Sequence, residues 1–209
     1  MHPLIVSESD GFPLDHIGLG VPDFAAGLDL FERRTGVRPL DLGAFDSQRR
    51  AVVRFSASSF LEILGPDPDY SGALDPITAF AKKLEVPSFL FWYVAVSDFD
   101  AFATHASQAG HPLLGVQHIQ REGYDYRIGG PDGISHVPVV PWIIQWKAKP
   151  DSAAAWPLVG KMVDFYVEHP EPPEIQAILN RLGIALQIQA GDSARIGLKI
   201  STPKGIIEF

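Results

Sequence analysis

One plan is written twice in this chain and echoed a third time. Leu14-Asp15-His16-Ile17-Gly18-Leu19-Gly20-Val21-Pro22-Asp23-Phe24 returns, position for position, as Phe89-Leu90-Phe91-Trp92-Tyr93-Val94-Ala95-Val96-Ser97-Asp98-Phe99. Each copy is an apolar run that ends in Val-x-Asp-Phe and leads into a segment of helical pattern. Val163-Asp164-Phe165-Tyr166-Val167-Glu168-His169-Pro170-Glu171 is a weaker third copy. A repeated supersecondary unit does not bury its apolar face alone, so the copies pack as equivalents and their matching positions become comparable.

The pattern inside each copy predicts the order β-α-β-β-β. Residues 14–21 read as a strand, with His16, Gly18 and Gly20 on one face and Ile17, Leu19 and Val21 on the other. Pro22-Asp23 opens a helix with the apolar stripe Phe24, Leu28, Leu30 and Phe31, which Gly36 stops. A short edge strand over 37–40 and a hairpin of 50–56 with 59–64 complete the first copy. A connecting helix over 75–84 leads to the second. There the strand is 89–96, the helix 98–109 with Gly110 as its stop, and the further strands 113–120, 124–128 and 141–146. Gly129-Gly130-Pro131-Asp132-Gly133 is a turn-rich break before the last strand. The predicted class is α+β: a paired two-module domain over 13–147, a linker over 148–160 and a smaller unit over 161–209. In that last unit, strand 161–168 precedes a helix over 172–182, stopped at Gly183, and strands over 185–189, 195–201 and 206–209.

Charge and composition exclude several function classes. The 209 residues carry a net charge of -8, which disfavours nucleic acid and anionic membrane as partners. With no cysteine there is no disulfide, thiolate nucleophile or cysteine-ligated metal. Met1 to Phe12 lacks the basic and long apolar regions of a signal peptide, and no uncharged apolar stretch reaches membrane-spanning length. A cytoplasmic location is the expectation. No Lys-Ser/Thr follows the glycine-rich turn, and neither a Gly-x-Ser-x-Gly elbow nor a dinucleotide fingerprint is present.

Asp15 to Asp23, taken with Phe60-Leu61-Glu62-Ile63-Leu64-Gly65-Pro66-Asp67-Pro68, resembles a glyoxalase-like domain. Such domains belong to the vicinal oxygen chelate superfamily, with bleomycin-resistance proteins and extradiol dioxygenases. The resemblance covers roughly residues 13–147, and 161–209 is similar to the C-terminal extension of some bacterial members. It implies two βαβββ modules whose sheets curl around a shared cleft, with metal ligands from the first and last strand of each. Carried over, those positions are His16 and Glu62 in the first module. In the second, counting back five from Val96 gives Phe91, and matching Phe60-Leu61-Glu62-Ile63 to Ile143-Ile144-Gln145-Trp146 gives Gln145. The implied cofactor is a divalent ion (zinc, nickel, iron or manganese) that polarises vicinal oxygens of a substrate. Here Phe91 cannot ligate, and Gln145 is the neutral third donor of a site that ordinarily takes three.

The individual residues leave alternatives open. His16 is a ligand or a histidine satisfied within its sheet. Glu62 points opposite to Leu61 and Ile63, toward the cleft or toward solvent, and beside His16 it is a candidate general base even with no metal. Phe91 and Tyr93 share a face and make the cleft apolar and aromatic, or Phe91 fills it. Arg54 and Arg127 are candidate cleft cations for a substrate oxyanion, or surface charges. Tyr126 lies on the same candidate strand as Arg127, and His136 is placed near the cleft mouth. His105, His111, His118 and His169 read as helix, turn or surface residues. Two functions from different classes follow. One is a metal-dependent lyase, isomerase or dioxygenase acting on a small oxygenated molecule through His16, Glu62 and Gln145. The other is a metal-free binding or sequestering protein using the same cleft. A third possibility is an interaction module with its cleft filled by Phe91, Trp92 and Trp142. The chain holds both modules itself, so a monomer or a homodimer is expected, with a small-molecule ligand.

Overall fold

Val21 ends an apolar strand and Asp23 begins a helix, and the chain does both as their chemistry requires. Asp23 is extended (φ -128°, ψ 120°) and its carboxylate accepts from the Ala26 N–H, which satisfies one of the first-turn donors. The helix closes at Gly36 in the left-handed region (φ 83°), where the glycine N–H bonds the Glu32 carbonyl. The same device recurs at Asp98, which caps the matching helix through the Ala101 N–H. The computed structural model describes residues 14–121, 123–130, 139–149 and 151–209. Met1 to Phe12, His136 and the Pro131-Asp132-Gly133 part of the expected turn lie outside the described residues.

The first module is β1 (Leu14–Gly20), α1 (Phe24–Thr35), β2 (Leu40–Phe45), β3 (Gln48–Arg54) and β4 (Phe60–Pro66), followed by α2 (Pro76–Ala81). Its strands lie in the order β2-β3-β4-β1, with β4 parallel to β1 and antiparallel to β3. The second is β5 (Ser88–Ala95), α3 (Phe99–Gln108), β6 (Leu114–Arg121), β7 (Tyr124–Gly130) and β8 (Trp142–Ala148), in the order β5-β8-β7-β6. This is the α+β fold of paired βαβββ modules expected above. A short 3-10 turn (Asp151–Ala155) leads to β9 (Lys161–His169), α4 (Pro172–Leu182), β10 (Ile188–Ala190), β11 (Arg195–Thr202) and β12 (Gly205–Glu208), which form a smaller sheet ordered β10-β9-β11-β12.

The edge strand expected over 37–40 starts only at Leu40. Pro39 has no N–H to give a ladder, and the Val37 N–H is already bonded to Thr35 Oγ1. The helix expected over 75–84 is also shorter, because its backbone tightens into turns from Lys82 to Leu84.

Two compact units share the chain. Of the described residues, one comprises Leu14–Asp15 and those within Phe91–Ala154 and Tyr166–Ile196; the other comprises His16–Leu90, Ala155–Phe165 and Gly197–Phe209. In the His16–Leu90 unit the core is Ile17, Leu19, Ala51, Val53, Leu61 and Ile63 with Phe24, Leu28 and Phe31 of α1, all nearly or fully buried. Burial of each large apolar side chain is worth about 1.5–3 kcal/mol. In the other unit the fully buried Phe99 and Phe102 of α3 belong to the core with Val94, Ile143 and Ile144.

Candidate functional site

Strand alternation sends His16, Phe60 and Glu62 to one face while Leu61 and Ile63 enter the core. The parallel β1–β4 register sets His16 beside Phe60 and Gly18 beside Glu62. The imidazole of His16 stacks flat on Phe60, with centroids 4.6 Å apart and an interplanar angle of 11°. Across the antiparallel β3–β4 register, Arg54 sits opposite Phe60, Val52 opposite Glu62 and Arg50 opposite Leu64. Arg50 reaches diagonally and donates from Nη1 to Glu62 Oε1 at 3.2 Å, while its Nε donates to Gln48 Oε1. His16 is 7% exposed, and the Glu62 side chain retains 11% of its exposure, so the carboxylate is nearly buried with a guanidinium beside it.

Arg54 is placed on this face, where its Nε donates to the Trp156 carbonyl at 2.9 Å. Trp156 in turn meets Phe60 edge-to-face, with centroids 5.0 Å apart. The face therefore reads, in order, Trp156, Phe60 and His16, with Glu62 and Arg50 alongside. Arg50 and Trp156 were not named from sequence. The alternation Arg50-Val52-Arg54 on β3 could have pointed to Arg50. Nothing local pointed to Trp156, which reaches Phe60 from far along the chain.

The second module corrects the residue match made from sequence. The Val21 N–H bonds the Leu64 carbonyl, and the Val96 N–H bonds the Ile144 carbonyl. Val21 and Val96 are equivalent, so Ile144 is the counterpart of Leu64, and Trp142, two residues earlier, is the counterpart of Glu62. The registers agree, since Gly18 pairs with Glu62 and Tyr93 pairs with Trp142. Gln145 thus falls one residue out of phase, on the α3 side of its sheet. There its Nε2 donates to the Ser97 carbonyl at 2.6 Å and its Oε1 accepts from the Phe99 N–H at 3.4 Å. Arg127 is on that side as well: it forms two 2.8 Å bonds to Asp100 and lies 4.6 Å over the Phe99 ring. The bond from Arg127 holds the Asp100 carboxyl below its ordinary value, and Asp100 holds the guanidinium above its own. Phe91 and Tyr93 do share a face, edge-to-face at 5.5 Å, with Trp142 6.0 Å from Tyr93. Where the first module has His16, Gly18 and Glu62, the second has Phe91, Tyr93 and Trp142.

The donor set decides whether a divalent metal fits. Among the described residues no three of His, Asp and Glu gather as a metal-holding group. His16 and Glu62 are two donors, the carboxylate is already paired with Arg50, and neither Phe91 nor Trp142 carries a ligating atom. The described residues do not fit a resident divalent ion.

Comparison with known proteins agrees with the fold. The chain resembles a protein of Staphylococcus aureus described only as hypothetical, at 10% identity over 94% of this chain and 98% of that chain, with a TM-score of 0.63. A mutant of 4-hydroxymandelate synthase from Streptomyces coelicolor matches at 16% identity over 94% of this chain and 62% of that chain, with a TM-score of 0.57. A methylmalonyl-CoA epimerase from Mycobacterium tuberculosis matches at 18% identity over 74% of this chain and 95% of that chain, with a TM-score of 0.45. No curated protein matches the sequence. Among the described residues, no helix is long and apolar enough to cross a membrane. The family described as the glyoxalase-like domain matches residues 14–183, and with its two βαβββ modules this chain belongs to that family, within the vicinal oxygen chelate superfamily.

Proposed function

We propose that the chain binds a small planar molecule with adjacent oxygens on the His16–Phe60–Glu62 face, without a resident divalent metal. The observation that carries this reading is the Arg50–Glu62 pair. The guanidinium, 3.2 Å from Oε1, brings to that carboxylate the positive charge a metal ion would otherwise supply. The rest of the face suits such a molecule. His16 and Phe60 form a flat aromatic stack, and Gly18, beside Glu62, adds no side chain above the carboxylate. A ligand hydroxyl donates to Glu62, a second oxygen accepts from Arg50 or His16, and the ring packs on the aromatic side chains.

The test is metal analysis and calorimetry on protein purified without chelators, with catechol as the probe. Far less than one equivalent of metal is expected. Catechol binding is expected to be indifferent to EDTA and to added zinc, nickel, iron or manganese, and to be lost in Arg50→Met/Glu62→Met. Near-stoichiometric metal that disappears in His16→Ala/Glu62→Ala would overturn it. That result belongs to the second reading, a metal-dependent lyase, isomerase or dioxygenase. Two buried donors on adjacent strands of one face, His16 and Glu62, favour that reading.

A further inference from the structure

We infer that Gln48 is a positioning residue: its side-chain amide, tied to Asp75 on one side and to Arg50 on the other, sets the Arg50 guanidinium against Glu62. The inference rests on the binding reading above and deepens it, by naming what holds the charge pair in place before a ligand arrives. Gln48 opens β3 two residues before Arg50, so both side chains leave the strand on one face. Gln48 is 7% exposed. Its Nε2 donates to Asp75 Oδ2 at 3.0 Å, and its Oε1 accepts from Arg50 Nε at 3.0 Å. Arg50 Nη1 in turn donates to Glu62 Oε1 at 3.2 Å. Asp75, Gln48, Arg50 and Glu62 are thus joined in series, all within the unit that holds His16.

The chemistry of the two neighbours fixes which way the amide points. A carboxylate only accepts and a guanidinium only donates, so the side chain between them must give one proton and take one. A carboxamide does both, and between these partners in one orientation only. Asp75 is a firm anchor for it. Its Oδ1 accepts from the Ile77 and Thr78 N–H groups, and its Oδ2 from the hydroxyls of Ser47 and Thr78 as well as from Gln48. Burial pushes this carboxyl up, but those bonds outweigh it and hold it at about 2, so Asp75 is an acceptor at neutral pH. Arg50 needs such an anchor. Its guanidinium rides on a long stem of rotatable bonds, and the side chain keeps 31% of its exposure, so water competes for it. Gln48 holds the Nε edge and the Phe45 ring lies 5.0 Å from Cζ, which together orient the fork toward Glu62. A binding group ordered in advance loses less freedom when its ligand arrives.

The experiment follows the Arg50 side chain by 15N NMR of its Nε–H and Nη resonances in the full chain, assigned by their absence from Arg50→Met/Glu62→Met. Calorimetry on the same samples measures catechol binding. Gln48→Met keeps the length of the side chain and removes both of its bonds. Leu28→Ala, in the α1 core of the same unit, is the control for lost stability alone. In wild type, an Nε–H protected from exchange and distinct Nη resonances are expected. In Gln48→Met they are expected to collapse to the averaged, fast-exchanging signals of a solvated arginine. Catechol binding is expected to weaken there about tenfold, the worth of one charge-assisted hydrogen bond. Leu28→Ala is expected to match wild type in both readouts. Asp75→Asn tests the polarity with Gln48 in place, and decides if Gln48→Met does not fold. The Ile77 and Thr78 N–H groups keep its oxygen at the Oδ1 position, so a donor replaces the acceptor that Gln48 Nε2 faces, and Arg50 is expected to be released in the same way. Averaged Arg50 signals in wild type, or wild-type Arg50 signals in Gln48→Met or Asp75→Asn, overturn the positioning role and leave the binding face standing. So does catechol binding that is unchanged in Gln48→Met or equally weakened in Leu28→Ala. Absence of saturable catechol binding to wild type overturns the binding reading and the role of Gln48 with it.

Discussion

At the scale of single residues, the Arg50–Glu62 pair decides more than either partner does alone. Glu62 is nearly buried while Arg50 retains about a third of its exposure, so the pair sits between a solvated surface bridge and a fully dehydrated one. Arg50→Ala leaves a carboxylate buried without its counter-charge, and is expected to destabilise by about 1–2 kcal/mol in urea unfolding. Arg50→Met/Glu62→Met removes both charges and is expected to recover most of that loss. A double variant as unstable as the single one would show that packing, rather than the charge pair, sets the cost. Glu62 was legible as a functional candidate because strand alternation turns it away from Leu61 and Ile63. Its counter-charge lies on another strand, twelve residues earlier, and nothing in the local pattern links the two.

Single elements show the same division. Asp75-Pro76 announces a helix start, and α2 does begin there, with the Asp75 carboxylate accepting from the Ile77 and Thr78 N–H groups. The carboxylate also accepts from the hydroxyls of Ser47 and Thr78 and from Gln48 Nε2, so it ties the helix to the start of β3. Burial pushes this carboxyl up, but the bonds from Ser47, Thr78 and Gln48 outweigh it and hold it at about 2, against an ordinary 3.8. A lowered folded-state value means that the charged form is the stabilising one. The contribution is therefore complete above the unfolded value and is lost as pH falls from about 4 through about 2. Partial exposure screens it to about 1–2 kcal/mol. Asp75→Asn is expected to lower the urea midpoint at neutral pH, with the gap from wild type closing between pH 4 and pH 2. A gap independent of pH would mean that the network acts through shape alone.

Over the whole molecule, the C-terminal residues are distributed between the two units. In one, Phe209 stacks on Phe31 of α1 at 5.4 Å, while Arg34 donates to the Glu208 carbonyl and lies over the Phe209 ring. In the other, α4 buries Leu179 completely, and His105 of α3 bonds the Arg181 carbonyl at 2.8 Å. A chain ended at Gly160 therefore loses packing from both units. It is expected to lack a cooperative melt by circular dichroism and dispersed amide resonances. A truncated chain with the full-length melting temperature would make 161–209 an independent appendage.

Sequence alone determined the two βαβββ modules, their capped helices and the family, because strand period, Asp caps and glycine stops are local chemistry and the repeat states them twice. It also turned Glu62 away from Leu61 and Ile63, since alternation along a strand needs no partner, whereas the parallel β1–β4 register is what sets His16 on the same face. Tertiary structure decided what those residues are paired with. Counting along the chain matched Gln145 to Glu62, but the hydrogen bonds of Val21 and Val96 show that the matching residue is Trp142, because cross-strand register depends on bonds between segments distant in sequence. The Arg50 counter-charge and the Trp156 indole came into view for the same reason. Both reach the site from other segments of the chain, and only the folded backbone brings them there.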